Sequence, residues 1–322
     1  MGKKKALING REAMVIGIII AMIAIFSILS PTFRTYNTVV SVLDSAYYIA
    51  LMALGVVFPL ITGGVDLSIG TGLVCYALIG GYLTVHQGMP VGVALVVTIL
   101  CGVVIGILNG VLVAIMDLPP FLATLCTCMI TRGLGPALCG GFGVSWPSSM
   151  NAAGWFRKIF RFTAGGKVIP IGIVLIVVLV IVMSFVLNHT KVGRYTIAIG
   201  SNKEATKLAG VNVKKYHITA YAICGLFAGL AGVAYAATYA TIYPGSGAGF
   251  EMDAISGAIV GGVSASGGTG TILGAFLGVL VICLMKVGLP FVGLQANWQQ
   301  IITGFVLLAA ILIDVMKKKK VK

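Results

Sequence analysis

Asp66 stands in Ile61-Thr-Gly-Gly-Val-Asp-Leu-Ser-Ile-Gly70, between one long apolar run and the next. A carboxylate there can line a polar path for a solute, together with Gly63, Gly64 and Ser68, or it can cap a helix starting at Leu67, an acidic group at a positive dipole end. Other polar side chains fall inside apolar runs of about twenty residues, the length that spans a bilayer core: Asp44, Asn109, Thr124, Thr127, Arg132 and Lys286, with Trp298 and Gln299 heading the last run. A charge at bilayer depth costs roughly 2.5–3.5 kcal/mol even on a lenient scale, so each is a candidate functional group. Bland readings stand beside these. Thr124 and Thr127 could bond their own helix carbonyls, Lys286 could reach the interface from near a span end, and Arg132 needs a partner such as Asp117 or a carbonyl. Catalytic chemistry finds no support: the phosphate-binding pattern G-x-x-x-x-G-K-[ST] is absent. Cys126 and Cys128 are one residue short of C-x-x-C and lack a His or Cys cluster. The seven cysteines all lie in apolar stretches and are expected to be small packing residues, with no metal site.

The elements that must hold these residues follow from composition. Apolar residues make up 59% and charged residues 9%, against about 25% charged in a soluble domain, so the chain belongs in a bilayer. Mean hydropathy is +1.08. A net charge of +14 would suggest nucleic acid in a soluble protein; here it is orientation signal, and nucleic-acid binding is set aside. The expected fold is an all-α integral membrane protein of about ten helices, over 13–30, 38–61, 67–85, 90–116, 120–143, 168–187, 216–240, 254–266, 271–289 and 297–315. The segments 120–143 and 254–266 are short or glycine-rich and could cross or re-enter. Residues 13–30 are too long for a signal-peptide core and read as the first retained span. If the chain starts inside, fifteen of the 22 basic residues collect on the inner face, so both termini are expected in the cytoplasm. The basic, aromatic stretch 144–167 is then outside, where it is expected to lie at the membrane interface. Residues 1–322 read as one transmembrane domain, with no room for a catalytic or ATP-hydrolysing module.

An internal repeat organises the two halves. Residues 63–72, GGVDLSIGTG, and 261–270, GGVSASGGTG, are identical at seven of ten positions. Gly261, Gly262 and Ser266 thus match Gly63, Gly64 and Ser68. Glycine-rich breaks at corresponding places in two halves point to a transport pathway, although small residues also permit close helix packing. With ten crossings both breaks fall on one side.

The hydrophilic stretch 188–215 carries six basic residues. Ser201, Asn202, Lys203 and Glu204 have capping-box spacing, and Gly210 can supply a left-handed stop. A two-turn cytoplasmic helix over Asn202–Ala209 follows, presenting Ala205, Leu208 and Ala209 beside Lys203 and Lys207. So short a helix is not stable alone in water and must dock, on the protein itself or on a partner.

Four stretches now carry a resemblance: ITGGVDLSIG (61–70), GRYTIAIGSNKEATKLAGVNVKK (193–215), FEMDAISGAIVGGVSASGGTGTILGAFLG (250–278) and WQQIITGF (298–305). They are similar to the membrane permease subunit of bacterial ABC importers for monosaccharides, from about residue 38 to the end. The resemblance implies a non-enzymatic subunit of the bacterial cytoplasmic membrane that binds no cofactor, its ATP and magnesium being held by a partner ATPase. It also implies an extracytoplasmic sugar-binding protein and a second permease copy, all within membrane lipid. The loop with Gly193, Arg194, Ser201, Asn202, Glu204, Ala205, Leu208 and Gly210 would seat on the ATPase. Glu251 and Asp253, ending the outer loop 241–253, could meet the binding protein or a dimer seam, or lie in a solvated loop. A neutral sugar asks for hydroxyl-tolerant groups and an aromatic face rather than buried charge. The alternative is a secondary transporter working alone on an ion gradient, kept open by Asp44; the particular sugar or polyol is not legible.

Overall fold

The computed structural model describes residues 10–321; Lys3, Lys4, Lys5 and Lys322, counted above toward the inner basic cluster, lie outside the described residues. The chain runs through helices α1 (Gly10–Leu29), α2 (Tyr36–Ile61), α3 (Ile69–Val85), α4 (Val91–Ala114), α5 (Pro120–Leu138) and α6 (Gly172–His189). Two short helices follow, α7 (Lys191–Ser201) and α8 (Lys203–Leu208), and then α9 (Val213–Thr238), α10 (Phe250–Val260), α11 (Ile272–Phe291) and α12 (Ala296–Val321). Each of the ten expected apolar segments holds one helix, so the all-α membrane fold is as expected.

Eight of the described helices are long and apolar enough to cross a bilayer, and α5 is among them as one continuous helix. The other two are α3, of 17 residues, and α10, of 11. At ~1.5 Å per residue α10 reaches only about 17 Å, roughly half a bilayer core. Both short helices adjoin a repeat copy. Their starts meet: a methyl on Gly70, in the first turn of α3, would overlap the carboxylate and amide of Glu251, in the first turn of α10.

The helices α2, α9 and α11 form the centre, and α2 is buried almost without break from Ser45 to Ile61. A helix apolar all round belongs in such a place. Against α9 lies α4, and the contact is backbone on backbone. Gly102, Gly106 and Gly110 recur every fourth residue on α4, and a methyl on them would strike Gly225 and Gly229, Tyr221 and Gly225, and Ile218 respectively. Small residues at four-residue spacing allow helices this closeness in a bilayer.

The loops at one end of the bundle form the only described strands. Val144–Ser145 pairs antiparallel with Thr241–Ile242, which puts the ends of α5 and α9 side by side. Phe162–Ala164 and Lys167–Ile169 make a hairpin, pinned where Tyr36 Oη donates to the carbonyl of Val168 at 2.8 Å.

Candidate functional site

The first glycine-rich break, between α2 and α3, is held by a buried polar network. Asp66 Oδ1 accepts from the amide of Ser68 at 2.9 Å and from its hydroxyl at 2.6 Å. The carboxylate does not cap a helix at Leu67, since α3 starts at Ile69 with Ser68 as its N-cap residue and no side-chain cap; it holds the turn just ahead of that helix, and it does more. From α4, Asn109 Nδ2 donates to Ser68 Oγ at 3.0 Å and reaches both Asp66 oxygens at 3.3 and 3.4 Å. From α5, Thr127 donates to Asn109 Oδ1 at 2.8 Å. Thr124 bonds its own carbonyl at Pro120 and reaches Val65 O at 3.4 Å. Candidates spread over sixty residues of sequence therefore converge on one site. Satisfaction matters here because a buried polar group left unpaired costs about 1–3 kcal/mol.

The second break occupies the matching place between α10 and α11. Ser264 stands where Asp66 stands in the first copy, and its hydroxyl donates to Asp314 Oδ2 on α12 at 2.7 Å. Thr271 donates to Glu12 Oε1 at 2.9 Å, and Arg11 reaches the carbonyl of Gly262 at 3.3 Å. Each break is thus tied to a carboxylate, internal in one copy and supplied by a distant helix in the other. Ser266 is exposed and joins neither network.

The two breaks touch. The amide of Gly268 donates to the carbonyl of Ile61 at 2.8 Å, and Gly267 lies against Gly63. On this junction sits Gly200 of α7, so closely that a methyl there would overlap both Ile61 O and the amide of Gly268. Helix α7 then passes directly into α8.

Here one sequence expectation is corrected. Ser201 does not cap the short helix: α7 runs through it, and its hydroxyl bonds back to Ile197 O at 2.9 Å. The extended residue is Asn202, whose side chain accepts from Ala205 N at 2.9 Å; no capping box forms with Glu204. Gly210 has the expected left-handed φ of 81°. Lys203, Glu204, Ala205, Lys207 and Ala209 are exposed, and Leu208 is 88% exposed. Of the other loop residues, Gly193 is buried against Leu187 O, where a side chain would not fit, and Arg194 is exposed.

Three charged residues lie differently from expectation. Lys286 does not reach for the interface; its Nζ bonds Asp253 Oδ2 at 2.7 Å and lies 4.8 Å from the Phe250 ring centroid. Asp44 is matched by Arg161 at 3.4 Å. Arg132 is exposed and lies beside Thr71, Thr131 and Gly247. Glu251 accepts from Gly249 N at 3.2 Å, while its buried Oε2 has no hydrogen-bond partner. Trp298 is half exposed, and Gln299 faces a cavity between α10, α11 and α12.

The basic stretch within 144–167 has a structural use that sequence reasoning missed. Arg157 turns inward and donates to five carbonyls, of Trp146, Pro147, Ala237, Tyr239 and Ala240, at 2.7 to 3.4 Å. Burial, with Arg161 nearby, lowers its pKa from the ordinary guanidinium value; the carbonyls offset that burial. Arg161 donates to Thr238 O at 3.2 Å. Cations at the last carbonyls of a helix match its negative dipole end. The missed signal was the position of two arginines in a stretch with no acid to pair with.

Comparison with known proteins agrees with this architecture. Residues 38–311 match the family described as branched-chain amino acid transport system / permease component. The ribose import permease of Escherichia coli K12 is 36% identical, over 93% of this chain and 92% of its own. The fructose import permease of Rhizobium meliloti is 31% identical over 92% and 83%. The galactose/methyl galactoside import permease of E. coli K12 is 31% identical over 100% and 99%. No solved structure matches significantly. The chain belongs to this family of import permeases, to which its motifs point, and is a multi-pass membrane protein.

Proposed function

We propose that this member of the family is the transmembrane subunit of an ATP-driven importer that carries a monosaccharide or related small polyol across the bacterial cytoplasmic membrane. Residues 1–322 act as one permease domain with both termini cytoplasmic. A separate ATPase binds ATP and magnesium and docks on α7–α8, a binding protein delivers sugar from outside, and two permease copies pair.

The observation that carries this reading is Gly200 seated on the junction of Ile61 and Gly268. An ATPase can drive alternation between outward-open and inward-open states only by contacts that differ between them. Helix α8 offers the contact, with Leu208 and two lysines exposed. Helix α7 passes any displacement to both breaks at once, and through them to the starts of α3 and α11. Related permeases act on ribose, fructose and galactose by name, which supports a sugar as cargo. The ion-gradient alternative loses its main support, since Asp44 is engaged by Arg161.

The test is uptake of labelled ribose, fructose and galactose into proteoliposomes holding the chain with its ATPase and binding protein. Uptake that needs ATP and ignores a protonophore is the expected result. Uptake by the chain alone on a proton gradient would sink the proposal.

A further inference from the structure

A cavity of about 640 Å³ opens between α10, α11 and α12, separate from the Asp66 network. Its size falls within the roughly 300–1,000 Å³ of small-molecule pockets. On its wall the Asp253–Lys286 pair closes at 2.7 Å, so the two formal charges cancel and the wall favours no ion. The ring of Phe250 lies beside Lys286 and offers an apolar face. Gln299 and Gln300 extend from α12.

Two polar atoms at this wall are unsatisfied: Ser256 Oγ and Gln299 Nε2 are buried without a hydrogen-bond partner. Buried polar groups are otherwise almost always paired, and leaving them unpaired at membrane depth is costly. Neither atom has surface open to the cavity, and Ser256 is fully buried; the polar groups that a solute meets there are Gln300 and the Asp253–Lys286 pair, 17% and 29% exposed. Sugar hydroxyls both donate and accept, and the C–H face of a sugar ring can lie on Phe250.

We infer that this cavity is a binding station for a neutral polyhydroxylated solute, with Gln300 and the Asp253–Lys286 pair receiving hydroxyls and Phe250 receiving the ring face. The inference names the solute site within the proposed import function, yet its test needs neither ATP nor the partner proteins. Thr303, which lines the cavity, is replaced in a chain also carrying C126S and C101A; the other five cysteines are buried. The purified T303C chain in nanodiscs is labelled with a small cationic methanethiosulfonate. D-Ribose, D-galactose, D-fructose or myo-inositol is added at millimolar concentration, and potassium chloride of equal osmolarity serves as control.

At a solute concentration twice its Kd, occupancy slows labelling about threefold. At least one of the four is expected to do so, the salt is not, and Q300L with K286M is expected to remove the protection. Equal labelling rates with all four overturn the inference, as does protection that survives the double substitution. A thermal melt identifies any variant that fails to fold, and G304C then serves in place of T303C. Protection without ATP-dependent uptake would keep the site and sink the import reading; uptake without protection would do the reverse.

Discussion

The backbone amide of Gly268 donates to the carbonyl of Ile61 at 2.8 Å, so the second copy of the glycine-rich repeat is joined main chain to main chain to the end of α2, just ahead of the first copy. No side chain stands between them, and Gly200 closes on the same point. Movement of α7 is thereby movement of both breaks.

Gly200→Ala is expected to uncouple the transporter. The added methyl would overlap Ile61 O, and overpacking of this kind costs about 1–3 kcal/mol. Sugar carried per ATP should fall by about 5- to 150-fold, the factors that 1–3 kcal/mol correspond to. A parental ratio of uptake to hydrolysis would show that the junction carries no force.

At the next link, Leu208→Asp should weaken retention of the ATPase without changing the melting of the permease, because the side chain is 88% exposed. Gly210→Pro should do worse: its φ of 81° is closed to proline, which is locked near −65°. Co-purification of the ATPase with each variant is the measurement, and full retention by Leu208→Asp refutes the docking role.

Asn109→Ala should destabilise the chain by about 1–3 kcal/mol, because it strips donors from Asp66 and the acceptor from Thr127. Thermal unfolding of purified protein reads this out. Asp66→Asn, which keeps an oxygen for Ser68, should cost less than Asp66→Ala; the opposite order would show that the bonds from Ser68 are not what holds this side chain in place.

Arg157→Ala should cost more stability than Arg161→Ala. The first removes bonds to five carbonyls, each charge-assisted bond contributing about 1.5–3 kcal/mol. The second removes one carbonyl bond and a partly exposed ion pair, a type worth about 0–1 kcal/mol. Equal melting temperatures for the two variants would contradict this assignment.

Asp44→Asn should retain ATP-driven uptake within about twofold, since the lost partner is an ion pair worth at most about 1 kcal/mol. Its residual uptake should stay indifferent to a protonophore. A variant dead in uptake but normally folded would return Asp44 to the pathway.

Much of this was legible in the chain and some was not. Hydropathy located the ten apolar helices, because a twenty-residue apolar run has few other uses, but it passed over α7, which lies in a hydrophilic stretch. The repeat located both breaks, since seven identities in ten at one offset leave little to chance. Asp66, Asn109, Thr124 and Thr127 could each be singled out as polar groups among apolar ones, but that they share a site depends on which helices are neighbours. The Lys286–Asp253 pair was within reach: a cation inside one apolar run, costly alone, and an acid at the edge of another satisfy each other. Ser201 misled because a capping motif is local, while the continuity of α7 depends on its seat against Ile61. Ser256, Gln300 and Thr303 passed unnoticed, as hydroxyls and amides in a helix look like packing until a cavity is seen beside them.

The seam of Gly102, Gly106 and Gly110 against α9 bears on which parts of the molecule can be gates. Two helices meeting without side chains between them are in a register that admits no neighbour: a shift of one residue brings Val103 or Ile107, or a side chain of α9, into space only a hydrogen atom can fill. Helices α4 and α9 must therefore travel as one stiff plank. Helix α10 is held to α11 in the same way, with Gly257 and Gly261 against Val279, Gly274 and Gly278, so the chain contains two such planks.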